Sequence, residues 1–329
     1  MKRSVSMFLA FFLLAASTVL PAWALEPKQA LEQTAQYVQT TVTNPQVASV
    51  GGEWAVIGLA RSGLEVPQSW YDTYYTNLTA FTAQQQGVMS TRKYTEYARV
   101  VLALTALGED PRTVAGYDLL APLEDVEATV RQGVNGAIYA LIALDSGNYA
   151  VSEGVREQYL AYLMAAQLPD GGWALAGERS DPDITAQALQ ALAPYSSQAG
   201  EAIDRGLADL DAMLEQGSFT TLESYAQAII TLCTLQRQPS DRLLEGFFSY
   251  RLPNGGFRHL SDGSVDGMAT EQALCALVSL TRWEAGQSPL YSMGGGEPAS
   301  SLPSMDALAL LLPSALALIP RCVLGLGQP

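Results

Sequence analysis

Six similar segments, rich in alanine and leucine, recur along this chain and limit the folds open to it. They occupy residues 53–60, 96–107, 135–144, 184–192, 224–235 and 269–280. One leucine of each segment serves as an equivalent point: Leu59, Leu104, Leu144, Leu192, Leu232 and Leu277. Successive points lie 40 to 48 residues apart, which is the length of a repeating helical hairpin. The chain is therefore predicted to fold as stacked hairpins.

More polar segments lie between these repeats, at residues 28–42, 68–81, 123–131, 155–166, 202–214 and 242–250. Their apolar residues recur every three or four positions, as Tyr159, Tyr162 and Leu163 do, which gives each helix one buried stripe. Because the alanine- and leucine-rich segments are apolar nearly all round, we expect them inside and the striped helices outside. No segment alternates with period two, so the prediction is all-α with essentially no sheet.

Six inner and six outer helices in alternation fit either an open superhelix or a closed double-layered barrel. An open superhelix needs polar caps on its terminal repeats, and neither residues 53–60 nor residues 269–280 carry one. Closure of the sixth hairpin against the first is the economical arrangement. We therefore predict an α/α toroid, with an inner and an outer ring of helices.

The N-terminal residues 1–24 have the pattern of an export signal. Lys2 and Arg3 precede an apolar run over residues 7–20, and the small residues Ala22 and Ala24 suit cleavage after position 24. An N-terminal membrane anchor is the alternative, although the apolar run is shorter than the roughly 20 residues of a usual span. We expect a secreted or cell-surface protein.

The predicted repeat domain covers residues 25–285. A linker rich in Gly, Ser and Pro follows at 286–304 and is expected to leave the domain, before a hydrophobic tail at 305–329. A poorly ordered tail is the favoured interpretation, and a marginal membrane anchor is the alternative.

Charge and cysteine content restrict the partners. A formal net charge of −15 argues against nucleic acid and against adsorption to an anionic membrane. Cys233, Cys275 and Cys322 are too few for a disulfide framework, so we expect buried free thiols, with a Cys233–Cys275 disulfide as the alternative. His259 is the only histidine, which argues against a catalytic zinc site, and we expect it to be exposed to solvent in a loop.

One stretch carries a family resemblance: Tyr162-Leu163-x3-Gln167-x3-Gly171-x-Trp173 is similar to the QW motif of terpene cyclases. A degenerate version runs from Phe247 to Phe257. The chain thus resembles the prenyltransferase and squalene oxidase repeat family, whose α/α toroid is shared by terpene cyclases, protein prenyltransferase β-subunits and cobalamin carriers of the transcobalamin type. The resemblance implies that Gln167 and Trp173 pack between helices, and it implies a corrinoid as one candidate ligand.

Asp181-Pro182-Asp183-Ile184-Thr185-Ala186 resembles the acidic stretch of class II terpene cyclases. That resemblance implies Asp183 as a proton donor, but Ile184 stands where a partner of the acid is expected. The alternative is structural, because Asp181 is suited to cap a helix and Asp183 to interact with the helix dipole.

Aromatic and acidic residues mark the starts of the inner helices, where they are expected to converge at one end of the barrel axis. They are Trp54, Tyr94, Glu96, Tyr97, Tyr139, Asp183, Glu223, Tyr225 and Glu271. A concave aromatic pocket predicts a binding site. The alternative is that the aromatic rings fill the barrel and the acids serve helix N-termini.

The leading functional hypothesis is a non-enzymatic toroid that binds a small molecule, glycan or peptide outside the cell. The first alternative is a terpene-cyclase-like enzyme with Asp183 as its acid. The others are a corrinoid-binding protein and a scaffold module.

Overall fold

The computed structural model describes residues 27–294, and this part of the chain is mostly helical, which confirms the all-α prediction. The helices are α1 (Pro27–Thr41), α2 (Glu53–Arg61), α3 (Gln68–Gln84), α4 (Thr95–Leu107), α5 (Val126–Val130), α6 (Val134–Ser146), α7 (Val155–Ala165), α8 (Pro182–Leu192), α9 (Ser196–Glu215), α10 (Leu222–Thr234), α11 (Asp241–Ser249) and α12 (Gly267–Glu284). Two 3-10 helices cover Ala121–Glu124 and Ala193–Tyr195. Strands β1 (Phe257–Arg258) and β2 (Val265–Asp266) pair antiparallel, with Phe257 opposite Asp266.

The even-numbered helices carry the alanine- and leucine-rich repeats and are buried on nearly all sides. In α12 every residue from Ala269 to Leu280 is buried. The odd-numbered helices instead bury one stripe, as α3 does with Trp70, Tyr74 and Leu78 four residues apart. This difference follows the apolar pattern of the two sets of segments.

Each even-numbered helix packs against the next, from α2 through α4, α6, α8 and α10 to α12, and α12 also packs against α2. Gly58 lies at this last contact, where a Cβ would come 2.7 Å from the Leu274 side chain. A glycine therefore allows α2 to approach α12 closely. The contacts between the inner helices return from the sixth helix to the first.

The turn after α7 shows how the Trp173 motif joins neighbouring hairpins. Gln167 Nε2 donates hydrogen bonds to the carbonyl oxygens of Gly171 (2.6 Å) and of Ala202 in α9 (2.8 Å). Trp173 is fully buried, and its indole N–H donates to the Leu163 carbonyl oxygen in α7 (2.7 Å). Both side chains thus pack at helix junctions.

The turn after α11 repeats this construction. In both turns the backbone N–H that follows the glycine pair donates to a threonine hydroxyl of the next inner helix at 2.9 Å, Trp173 to Thr185 and Phe257 to Thr270. A Cβ at Gly255 would lie 2.6 Å from a carbonyl oxygen of α1. The last of these turns therefore packs on the first outer helix.

The prediction that the linker leaves the domain at Gly286 is corrected by the structure. Its first residues, 286–294, pack against the helices. Leu290 and Tyr291 are buried. The Arg61 guanidinium donates to the carbonyl oxygens of Leu290 (3.0 Å) and Ser292 (3.1 Å). Two apolar side chains and two arginines, Arg61 and Arg282, thus hold a stretch whose Gly, Ser and Pro content predicted a free linker.

The remaining predictions for the two ends, the export signal at 1–24, the rest of the linker and the tail at 305–329, lie outside the described residues. Among the helices of residues 27–294, none is long and apolar enough to cross a membrane.

The two cysteines of the inner helices are free and buried, so the alternative of a Cys233–Cys275 disulfide is wrong. Burial raises the pKa of the Cys233 thiol to about 12 and raises that of Cys275 further above its ordinary value. Both thiols are therefore protonated near neutral pH. Cys322 lies outside the described residues.

Candidate ligand-binding site

A cavity of about 840 Å³ opens at the N-terminal ends of the inner helices. All six even-numbered helices contribute side chains to it, together with the loop 174–180. We call it the mouth cavity. Its position follows from the repeat, because the start of each inner helix reaches the same end of the bundle.

The repeat register determines which side chains face the mouth cavity. The residue five positions before each equivalent leucine lines it in all six repeats, and these residues form its lower level: Trp54, Arg99, Tyr139, Gln187, Gln227 and Gln272. Four residues earlier, about one helical turn, five repeats again contribute a side chain. These residues form the upper level: Thr95, Asn135, Asp183, Glu223 and Met268.

The structure brings six of the ten predicted site residues together. Trp54, Glu96, Tyr139, Asp181, Asp183 and Glu223 all line the mouth cavity. Tyr94, Tyr97, Tyr225 and Glu271 are not among the residues that line it.

Helix geometry explains why Tyr225 does not line the cavity. Successive residues of an α-helix point about 100° apart, so Tyr225 faces away from the direction of Glu223, which lies two positions earlier. Tyr225 instead packs against Tyr250, with ring centroids 5.7 Å apart. Tyr94 and Tyr97 pack against each other at 5.7 Å.

Glu271 lies on α12 beside the cavity-lining Gln272 but points into the protein. It is 1% exposed, and its Oε1 accepts a hydrogen bond from the backbone N–H of Gly51. Its other oxygen is buried with no hydrogen-bond partner among residues 27–294. Burial raises the pKa of Glu271 to about 8, and the nearby Glu53 and Asp266 also raise it. Glu271 thus holds the loop before α2.

Asp181 caps the N-terminus of α8, as the structural alternative to a catalytic role predicts. Its Oδ1 accepts hydrogen bonds from the backbone N–H groups of Asp183 and Ile184, both at 3.0 Å. These bonds satisfy two N–H groups that have no partner within α8. The carboxylate of Asp181 is thereby committed to the start of the helix.

Asp183 lies in the first turn of α8 and is half-buried. Its Oδ1 is buried without a hydrogen-bond partner in the described part of the chain. Burial is the main cause that raises its pKa to about 6, while a hydrogen bond from Ser224 lowers it. Most Asp183 side chains are therefore ionised near neutral pH, which suits hydrogen-bond acceptance better than proton donation to an alkene.

Glu223 occupies the upper level on α10 and pairs with the loop residue His259. The distance between Glu223 Oε2 and His259 Nδ1 is 2.8 Å, and the histidine side chain is 49% exposed. His259 is thus exposed to solvent, as predicted, but it also has an acidic partner. Within residues 27–294, no three His, Cys, Asp or Glu side chains gather in a way that could hold a metal ion.

The lower level has one aromatic and one amide side. The rings of Trp54 and Tyr139 lie 5.6 Å apart between their centroids. On the other side Gln227 Nε2 donates to Gln272 Oε1 at 2.6 Å. The Gln187 amide makes no hydrogen bond with any residue of 27–294, so both its donor and its acceptor are free.

Another cavity, of about 490 Å³, lies at the opposite end, where inner helices meet the C-terminal segment 286–294. Three of its polar residues are paired with one another, because Asp145 accepts hydrogen bonds from Arg156 Nε (2.7 Å) and from the Tyr195 hydroxyl (2.8 Å). Tyr291 lines it, and that ring lies 6.5 Å from Trp54 of the mouth cavity. The Trp54 and Tyr291 rings therefore lie between the two cavities.

Arg99, Gln187, Gln227 and Gln272 are cavity residues that prediction from the helix starts missed. A usable signal was present, because each lies five residues before the equivalent leucine of its repeat. Comparing that one position across all repeats identifies the side chains that share the axis-facing register.

No protein-family model and no curated protein matches this chain. The resemblance to terpene cyclases therefore stays an expectation from the motif.

Proposed function

We propose that residues 27–294 form a closed α/α toroid that binds a ligand in the mouth cavity outside the cell, without catalysing a reaction. The observation that carries this proposal is the lower level, where the same position of all six repeats faces one cavity. Concave sites with aromatic walls and a few convergent polar groups are where proteins bind small ligands.

Closure is supported by contacts between the first and last repeats. Helix α12 packs against α2, and Glu271 of the last inner helix accepts a hydrogen bond from Gly51, just before α2. The outer layer has its own contact, because the turn at Gly255 packs on α1. These contacts pair each layer's last element with its first.

The extracellular location rests on the export signal predicted in residues 1–24. A secreted acidic domain would meet small molecules, glycans and peptides rather than nucleic acid. The chemistry of the lining then decides among these ligands.

A terpene-cyclase-like enzyme is the second candidate, favoured by the raised pKa of Asp183. The lining of the mouth cavity disfavours cyclisation of an isoprenoid, since Gln187, Gln227 and Gln272 place amides where an isoprenoid chain needs an apolar wall. Cyclisation of a polyprenyl substrate that disappears in Asp183→Asn would establish this alternative.

The test is a ligand panel of neutral oligosaccharides, peptides, nucleosides and corrinoids, measured by calorimetry at neutral pH. Ala176→Trp places a large side chain at the rim of the cavity, at an exposed position of the loop 174–180. Ala83→Trp on the exposed face of α3 is the matched control.

We expect at least one class to bind with one site per chain, to lose at least tenfold in affinity in Ala176→Trp and to be unaffected in Ala83→Trp. Absence of binding across the panel, or binding that Ala176→Trp leaves unchanged, would refute the mouth cavity as a ligand site. The scaffold interpretation would then be preferred.

A further inference from the structure

We propose that the ligand of the mouth cavity is a neutral oligosaccharide. This inference rests on the proposed function, and it names the class of molecule from the chemistry of the lining.

The two sides of the lower level match the two kinds of surface on a sugar ring. Trp54 and Tyr139, 6% and 7% exposed, form the aromatic side, and the ring surface that they leave open to the cavity suits the apolar C–H face of a pyranose. Gln187 offers a free amide on the opposite side. A ring with one apolar face and hydroxyl groups along its edge would contact both sides at once.

Hydroxyl groups suit the mixture of donors and acceptors around the cavity. Each hydroxyl both donates and accepts, as does each amide, while a carboxylate only accepts and a guanidinium only donates. A ligand with several hydroxyls can therefore exchange hydrogen bonds with both kinds of group in the lining, such as the Gln187 amide, the Asp183 carboxylate and the Arg99 guanidinium.

The charges of the lining favour a neutral ligand. Four acidic residues (Glu96, Asp181, Asp183 and Glu223) and three basic ones (Lys93, Arg99 and Arg179) line the cavity. Arg99 forms an ion pair with Glu96, and Glu223 pairs with His259. The near balance, with the Glu96 charge neutralised by Arg99, provides no strong field for an anion or a cation.

The same lining disfavours other classes. Two common modes of peptide binding add a strand to a sheet edge or place a helix in an apolar groove, and the lining of the mouth cavity, which comes from helix starts and loops with many polar side chains, suits neither. A volume of about 840 Å³ falls within the range of about 300 to 1,000 Å³ that holds drug-sized ligands. A short oligosaccharide fits this size, and the exposed loop 174–180 lies beside it at the rim.

The experiment titrates the full chain with cellotetraose, chitotetraose, maltotetraose and mannotetraose by calorimetry at neutral pH. Gln187→Ala removes the free amide without disturbing α8, because alanine is a good helix former and Gln187 has no partner to lose. Gln36→Ala, on the exposed face of α1, is the matched control. Asp183→Asn, which keeps the side-chain shape, is a second cavity variant.

We expect at least one tetrasaccharide to bind at one site per chain. Gln187→Ala and Asp183→Asn should each weaken it roughly tenfold, as loss of one hydrogen bond to a ligand does, with Gln36→Ala unchanged. Binding that neither cavity variant weakens would overturn the inference.

The outcomes separate this inference from the proposed function. If no tetrasaccharide binds while a peptide, nucleoside or corrinoid binds and is blocked by Ala176→Trp, the oligosaccharide class is wrong and the mouth cavity remains a ligand site. If nothing in either set binds, both proposals fail.

Discussion

Replacing Glu271 by glutamine should change how the stability of the protein depends on pH. Glu271 is 1% exposed, and burial raises its pKa from 4.5 to about 8. Glutamine keeps an oxygen that can accept the hydrogen bond from Gly51. The substitution therefore removes the titration and keeps the contact.

The direction of the pH dependence follows from the protons that Glu271 binds in the folded and in the unfolded state. Between pH 4.5 and about 8 the folded state holds a proton on Glu271 that the unfolded chain has released. Unfolding then releases a proton, so the free energy of unfolding falls as pH rises, by at most about 1.4 kcal/mol per pH unit. Over the whole window the loss attributable to Glu271 is at most about 4 to 5 kcal/mol.

Urea unfolding at pH 5, 6, 7 and 8 measures this dependence in the wild type and in Glu271→Gln. The variant should gain stability relative to the wild type with each step in pH, and the gain should level off above pH 8. Other carboxyls, including Asp183 and Glu53, titrate in both proteins and largely cancel in the difference. Glu178→Gln, in the exposed loop 174–180, serves as the control. Parallel stability curves for the wild type and Glu271→Gln would refute the reasoning.

Two further predictions concern packing. Gly171→Ala and Gly177→Ala both place alanine at a positive φ, which costs about 1 kcal/mol, but only at Gly171 would the new Cβ lie 2.8 Å from the Arg205 carbonyl oxygen. Gly171→Ala should therefore lower the free energy of unfolding by about 1 to 3 kcal/mol more than Gly177→Ala, and equal losses in urea titration would contradict this. Arg61→Ala should speed hydrogen exchange in residues 286–294, and unchanged protection there would show that Arg61 does not hold the segment.

The inner helices were predictable from sequence because their apolar character is continuous. The predicted segment 184–192 lies within Pro182–Leu192, and 135–144 lies within Val134–Ser146. The outer helices were less predictable, since local capping decides them. The predicted segment 123–131 is broken at Asp125, whose side chain accepts from the Ala128 N–H (2.9 Å) and starts a new helix.

The candidate site was predictable in position but only partly in composition. The starts of the inner helices do meet at one cavity, yet choosing residues by type at those starts included Tyr225 and Glu271, which point elsewhere. Which face of a helix meets the axis depends on packing in the whole ring. The glutamines of the lower level were missed because a polar residue within an apolar helix has no meaning until its neighbours across the axis are known.

The C-terminal segment 286–294 shows a different limit. Its composition is typical of a linker, and only the contacts of Leu290 and Tyr291 with the inner helices reverse that interpretation. Such long-range burial depends on where the other end of the bundle lies. Local sequence patterns do not show which helices, far away in the sequence, the segment 286–294 will contact.

The most direct measurement for the mouth cavity is a hydrogen-exchange footprint of the full chain with and without saturating tetrasaccharide. Binding in the mouth cavity should slow exchange in residues 93–99, 132–139 and 174–187, which line it, and leave residues 286–294 at the opposite end unchanged. Protection confined to 286–294, or spread over the outer helices with none at the mouth cavity, would contradict the account.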